Sequence, residues 1–254
     1  MSSIDKLTSF VALFMLTRFK IPKTILWIAN LLLIFFIIFT VFRFATFFAF
    51  KPANLSFKGL LPSFFLGMRY DLRWICIILS PVVLLSLVPG LSPFYSEKNK
   101  KWWTWYLAIL TFIVFFFFAA DFGSFSYNET RLDAGALNFA EDPAISFKMM
   151  WQTYPMFWLI TGLVLAVLFF RWTYHQSHWR VTSKTDGLGI PYRRRYFVIT
   201  VILFAILIYG SFSSSSLKWS RAMTMGDDFK NYLSLNPLQN FFTTLKFRKP
   251  GYNE

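Results

Sequence analysis

Cysteine occurs once in this chain, at Cys76, inside an apolar run, so an internal disulfide and a Cys–His metal site are both excluded. Charge is scarce. Charged residues make 15% of the sequence, where a soluble domain carries about 25%. Acidic residues are scarcer still, 12 against 26 Lys and Arg, leaving a net charge of +14. The catalytic signatures that announce themselves in sequence are missing: there is no phosphate-binding glycine loop, nucleophile elbow or paired-histidine zinc motif. The long apolar runs hold almost no ionisable residue apart from Arg43. This disfavours an ion-coupled transporter or channel, which places such groups near the midplane. Internal repeats are absent.

Phenylalanine is abundant instead, with 34 residues, and hydrophobic residues make 56% of the chain. A water-soluble core has no use for an unbroken run such as Phe115 to Phe118, whereas lipid accepts it. A membrane-crossing helix needs about 20 apolar residues to span about 30 Å of hydrocarbon. Five segments approach that length: Ile25 to Phe42, Trp74 to Leu91 with a kink at Pro81, Trp102 to Ala120, Pro155 to Phe170, and Tyr196 to Phe212. The runs are continuous rather than alternating, which predicts helices and not barrel strands. Trp102, Trp103, Trp105 and Tyr106 read as an aromatic belt. Leu7 to Leu16 reads as an interfacial helix rather than a cleaved leader.

Orientation follows from the loops. Lys6, Arg18, Lys20 and Lys23, then Lys98, Lys100 and Lys101, then Arg171, Arg180, Lys184 and Arg193 to Arg195 fall on one side of a five-span chain. The loop from Asp121 to Gln152 is acidic. The N-terminus is therefore expected in the cytoplasm and the C-terminus outside, in a multi-pass inner-membrane protein. The fold class is all-α. Residues 1–212 form a five-helix transmembrane domain with short interfacial helices, and residues 213–254 an extracytoplasmic interfacial helix and linker. The basic excess meets anionic lipid head groups and not nucleic acid. Lys51, Lys58, Arg69 and Arg73 dissent, lying on the outer side.

Three clusters could carry chemistry. In Gly67-Met68-Arg69-Tyr70-Asp71-Leu72-Arg73 the two arginines stand four apart, on one face of a helix. They would present a basic fork to a lipid phosphate, with Asp71 positioning one of them. Their plain alternative is a pair of interfacial anchors reaching to water. Asp121, at the end of the third span, is a second positioning residue, reaching Arg69 or Arg73 across the bundle. The remaining acids of its loop read better as a solvated loop braced by Arg131 than as a metal site. His175 and His178 read as part of a lipid-facing basic loop.

The arrangement resembles a known family. Five spans, the stretch FFLGMRYDLRW from Phe64 to Trp74, DFGSFSYNETRLD from Asp121 to Asp133, and SLNPLQNFFTTLK from Ser234 to Lys246 are similar to the membrane portion of the lipoteichoic-acid-synthase-like, sulfatase-superfamily phosphoglycerol and phosphoethanolamine transferases, Bacteroidota type. The resemblance covers nearly the whole chain. It implies a membrane domain followed by an extracytoplasmic catalytic domain with a Thr nucleophile and a divalent metal, Mn or Mg. No catalytic Thr or metal ligand of that domain maps onto these residues, so no cofactor is expected within them. The resemblance implies a lipid-engaging anchor whose partners are phospholipids and its own catalytic domain. The alternative is a non-catalytic integral subunit packed against other membrane proteins.

Overall fold

The computed structural model describes residues 21–53, 55–185, 194–211 and 216–248. The expected interfacial helix at Leu7 to Leu16 lies outside them. Every regular element among the described residues is helical. The long helices are α1 (Lys23–Phe50), α2 (Phe57–Leu85), α3 (Glu97–Asn128), α5 (Met156–Thr185) and α6 (Arg194–Tyr209). The shorter α4 (Pro143–Thr153) precedes α5, and α7 (Asp228–Ser234) and α8 (Pro237–Thr244) follow α6. Among the described residues three helices are long and apolar enough to cross a membrane: Lys23–Phe50, Glu97–Asn128 and Met156–Ser183. The chain is thus a membrane-embedded, all-α protein by the length and composition of these helices.

The helices outrun the apolar segments that announce them. The charged stretch before Trp74 is helical because Ser56 caps α2, its Oγ accepting Gly59 N at 3.3 Å, and the helix then runs through to Leu85. Ser96 caps α3 likewise, accepting Asn99 N at 3.2 Å, with Glu97 favourable in the first turn. Helix α5 continues past Phe170 to Thr185 because Tyr174, His178 and Val181 carry its buried face onward.

Pro81 lies inside α2 and denies Ile77 its helical N–H partner; the Ser80 hydroxyl donates to that carbonyl instead, at 2.8 Å. One carbonyl later, Ile78 accepts the Tyr106 hydroxyl of α3 at 2.8 Å.

Helix α1 runs through the middle and touches α2, α3, α5 and α6; α3 packs chiefly on α5, and α2 on α6 and α7. Large rings fill the centre: Phe42 stacks on Phe118 with centroids 4.2 Å apart, and Phe35 stacks on Tyr174. The Tyr174 hydroxyl and Thr111 Oγ1 pair at 2.7 Å, fully buried.

Two ends are defined by their contacts. At the basic end, the turn between α2 and α3 is pinned from three helices. Trp103 Nε1 donates to Leu91 O at 2.8 Å, Asn99 Nδ2 donates to Gly90 O at 2.7 Å, and the His178 ring sits 3.0 Å from Pro93 O. His178 also stacks on Phe94, with Trp27 edge-on to both rings. His178 is therefore a buried packing residue of α5, a correction to its reading as part of a lipid-facing loop. Its ring is worth more between two aromatic rings than in the headgroup layer. His175 is exposed on the same helix.

At the opposite, hairpin end α1 turns into α2, and α3 arrives beside them through Phe50 and Phe125, 4.8 Å apart. Residues 216–248, read from sequence as an interfacial helix and linker, fold over this end. From Leu233 to Asn240 every residue is buried.

Tyr174→Phe should cost about 1 kcal/mol, because it strands the buried Thr111 hydroxyl without its cross-helix partner. A lowered unfolding midpoint in detergent, with helix content unchanged, is the outcome to look for.

Candidate functional site

The hairpin end concentrates the charges that the sequence scatters. Asp71 and Asp121 are both buried, and neither holds Arg69 or Arg73. Asp71 takes a two-pronged contact from Arg43 of α1, Nε to Oδ2 at 3.0 Å and Nη2 to Oδ1 at 2.7 Å. Asp121 pairs with Arg131 from the following loop and also accepts Leu132 N at 2.9 Å. The expected reach of Asp121 across the bundle is thus corrected: a helix end needs its counter-ion close by, and Arg131 is ten residues away on the returning loop.

The segment after α6 completes both pairs. Arg43 Nη1 donates to the carbonyls of Leu233 and Leu235, and Arg131 Nε donates to Tyr232 O at 2.8 Å. These carbonyls lie at the C-terminal end of α7, where helical partners run out. Asn236 adds a bond from Nδ2 to Asp71 Oδ1 at 3.0 Å, while its Oδ1 caps α8 by accepting Gln239 N at 2.7 Å. Asn240 donates to Leu132 O at 3.0 Å and accepts Trp219 Nε1 at 2.9 Å. Gln239 Oε1 accepts Trp74 Nε1 at 3.2 Å.

The polar residues of Asn236-Pro237-Leu238-Gln239-Asn240 are therefore the wiring of the site, and sequence reasoning missed them. The available signal was a run of amides in a stretch otherwise apolar. The other missed residue is Arg43, whose isolation in an apolar run already called for a buried partner.

Arg69 and Arg73 lie one turn apart on α2, as their spacing predicts, and both face the C-terminal end of α6. Arg73 donates from Nε to Ile208 O at 2.7 Å, from Nη1 to Leu217 O at 2.7 Å and from Nη2 to Tyr209 O at 2.9 Å. Arg69 donates from Nε to Gly210 O at 3.1 Å, and its Nη2 reaches the same oxygen. Gly210 has φ +68°, the left-handed conformation that ends a helix, and a Cβ there would press on Leu217. Between the two arginines, Tyr70 is buried and its hydroxyl donates to Lys218 O at 2.7 Å. Arg221 lies within electrostatic range of the same hydroxyl. Two further cations, Lys218 and Arg221, are exposed beside the pair.

Burial and pairing set the electrostatics. In a low-dielectric interior an unpaired guanidinium is costly by several kcal/mol. Burial pushes Arg131 below its usual range, and the Asp121 carboxylate opposes that push. Burial, and then the nearby Asp228 and Asp133, push the Tyr232 hydroxyl up. Among the described residues no group of three or more His, Cys, Asp or Glu gathers as a metal site.

Gly67 makes the Arg43–Asp71 contact possible. A Cβ at that position would collide with the Arg43 guanidinium itself. The glycine of the GMRYD stretch is thus the passage through which α1 reaches across to α2.

Comparison with family models, with curated proteins and with solved structures yields no match to this chain.

Asp71→Ala should destabilise the fold by about 3–5 kcal/mol, since it leaves a buried guanidinium without its carboxylate. Arg43→Met with Asp71→Leu should cost less than the two single changes added together, measured as a double-mutant cycle of thermal unfolding. Gly67→Ala should lose about 1–3 kcal/mol by displacing Arg43; a midpoint equal to the parent's would contradict the contact.

Proposed function

We propose that this chain is the membrane-anchoring, lipid-engaging domain of a phospholipid head-group transferase, moving phosphoglycerol or phosphoethanolamine at the outer face of a bacterial inner membrane. In this reading α1, α2, α3, α5 and α6 all cross the bilayer. The basic end faces the cytoplasm and the hairpin end faces outward. The chemistry belongs to a soluble domain of the sulfatase-superfamily type, with its Thr nucleophile and divalent metal. The residues of this chain hold the lipid.

Several features support five spans. Successive long helices alternate in direction. Helix α2 lacks an uninterrupted apolar window because Arg69, Asp71 and Arg73 interrupt it, yet each of the three is hydrogen-bonded inside the protein. That removes much of the cost of placing them at depth. Helix α6 has 16 described residues, just short of a full crossing.

The observation that carries the lipid reading is the basic cluster where α6 ends: Arg69, Arg73, Lys218 and Arg221 with no carboxylate among the described residues bonded to Arg69 or Arg73. Arg73 commits all three of its nitrogens to carbonyls and so acts first as a cap for α6. Arg69 spends two nitrogens on one carbonyl. Arg69, with the exposed Lys218 and Arg221, is the better phosphate ligand, because a planar fork suits a phosphate diester. Asp71 and Asp121 contribute at a distance, by fixing the cap that carries Lys218 and Arg221.

Arg69→Gln should lower retention of phosphatidylglycerol by the purified protein about tenfold, the equivalent of about 1.4 kcal/mol. Native mass spectrometry reads this directly, and the variant should unfold as cooperatively as the parent. Equal lipid retention by parent and variant would refute the assignment.

A further inference from the structure

The apolar surface of α1 does not stop where the polar clamp begins. Leu33, Ile37, Val41, Phe44 and Phe48 are all exposed, at steps of four, four, three and four residues. That spacing is one continuous helix face. It begins in the middle of a membrane-length helix, passes the level of Arg43 unbroken, and runs on to the turn. On the facing helix Phe57, Leu61 and Phe65 form a matching exposed stripe. Phe48 is 77% exposed and Phe65 61% exposed. The hairpin's own charges nearest the tip are Lys51 and Lys58, both exposed. A water-facing hairpin would not carry such a surface.

We propose that phospholipid of the outer leaflet covers this hairpin up to Lys51 and Lys58, whose ammonium groups meet lipid phosphates, and that the segment from Leu233 to Phe242 is consequently re-entrant. The inference rests on the membrane reading above and extends it. Lipid is the occupant because the stripe is continuous with the face of a helix already long and apolar enough to span, and because the hairpin's own charges at its tip, Lys51 and Lys58, are cations; the carboxylates Glu129, Asp227 and Asp228 line a pocket with Phe50 and Pro52 and are not part of the stripe.

Depth then follows from helix geometry. Arg43 precedes Lys51 by eight residues, about 12 Å along α1. The head-group layer takes up roughly 5–7 Å on each side of the hydrocarbon. The Arg43–Asp71 pair therefore lies within the hydrocarbon layer, and with it the carbonyls of Leu233 and Leu235 that Arg43 holds. Arg69, about 16 Å past Lys58 along α2, lies at that depth too, so the phosphate it takes belongs to a lipid drawn in beside the end of α6 and not to one in the head-group plane. Non-helical backbone is tolerated at that depth only when it is buried in protein, and the stretch from Leu233 to Asn240 is buried throughout.

The aromatic contacts of α8 agree. Phe242 stacks on Trp74 of α2 with centroids 5.2 Å apart, and Phe241 meets Phe117 of α3 edge-on at 5.1 Å. Phe117 belongs to the apolar run of α3, and Phe242 remains 43% exposed beside it. Helix α8 is thus a wedge between α2 and α3 with one ring turned to the acyl chains.

Single cysteines at Phe48→Cys, Phe65→Cys, Phe242→Cys, Lys51→Cys and Ile37→Cys test this in the full chain. Each is nitroxide-labelled and read in vesicles of phosphatidylethanolamine and phosphatidylglycerol. A sample without an added cysteine corrects for the buried Cys76. The four outer positions are exposed or partly so, and labels there spare the core. Collision with oxygen should exceed collision with a water-soluble nickel chelate at 48, 65 and 242, as at the mid-helix position 37, with 51 at the crossover. Nickel access at 48 and 65 together with oxygen access at 37 would overturn the re-entrant reading alone, leaving the hairpin in water or under a protein. Nickel access at 37 as well would overturn the membrane reading with it.

Discussion

A helix that ends in a low-dielectric setting leaves carbonyl oxygens that water cannot reach, and in this molecule arginines from neighbouring helices and from the loop after α3 supply the missing donors. Two helix ends are treated this way. The end of α7 is held by Arg43 and Arg131, and the end of α6 by Arg69 and Arg73. Cations at a helix C-terminus also oppose its dipole. The two arginines that cap α7 are themselves neutralised by Asp71 and Asp121. The two that cap α6, Arg69 and Arg73, have no such counter-ion among the described residues. That difference separates a structural clamp from a surface able to attract a phosphate.

The rest of the hairpin end is arranged around the clamp. Gly67 opens the route for Arg43, Asn236 links Asp71 to the start of α8, and Asn240 links α8 to the loop after α3. Each amide satisfies a donor and an acceptor at once, so little buried polarity is left over. The chain leaving α6 is consequently fixed to the bundle and not free to swing. In the function proposed above, a fixed cap is what the membrane domain contributes to head-group transfer without supplying a nucleophile.

Much of the helical scaffold was legible in sequence because apolar runs and their aromatic ends report it directly. The limits of the runs were a poorer guide to the limits of the helices. Helix α3 extends from Glu97 to Asn128 around the run from Trp102 to Ala120, and α5 continues fifteen residues past Phe170. Packing continues a helix after hydropathy has fallen. The importance of Asp71 and Asp121 was also legible, from their cost in an apolar setting, but their partners were not. Sequence distance favoured Arg69 and Arg73 for Asp71, yet residues two apart point away from each other on a helix. The true partner comes from α1, 28 residues back. Ser234 to Asn240 looked like a surface lead-in because its amides are polar. Only the fold reveals that those amides face buried carbonyls and a buried carboxylate.

The most direct test of the clamp is amide hydrogen exchange across residues 228–244 in the Asp71→Asn protein, followed by mass spectrometry in the membrane-mimetic used for the parent. If buried ion pairs hold the cap on the bundle, these amides should exchange much faster in the variant while those of α1, α3 and α5 keep their protection. Unchanged protection of 228–244, with the Arg43–Asp71 pair broken, would contradict the account.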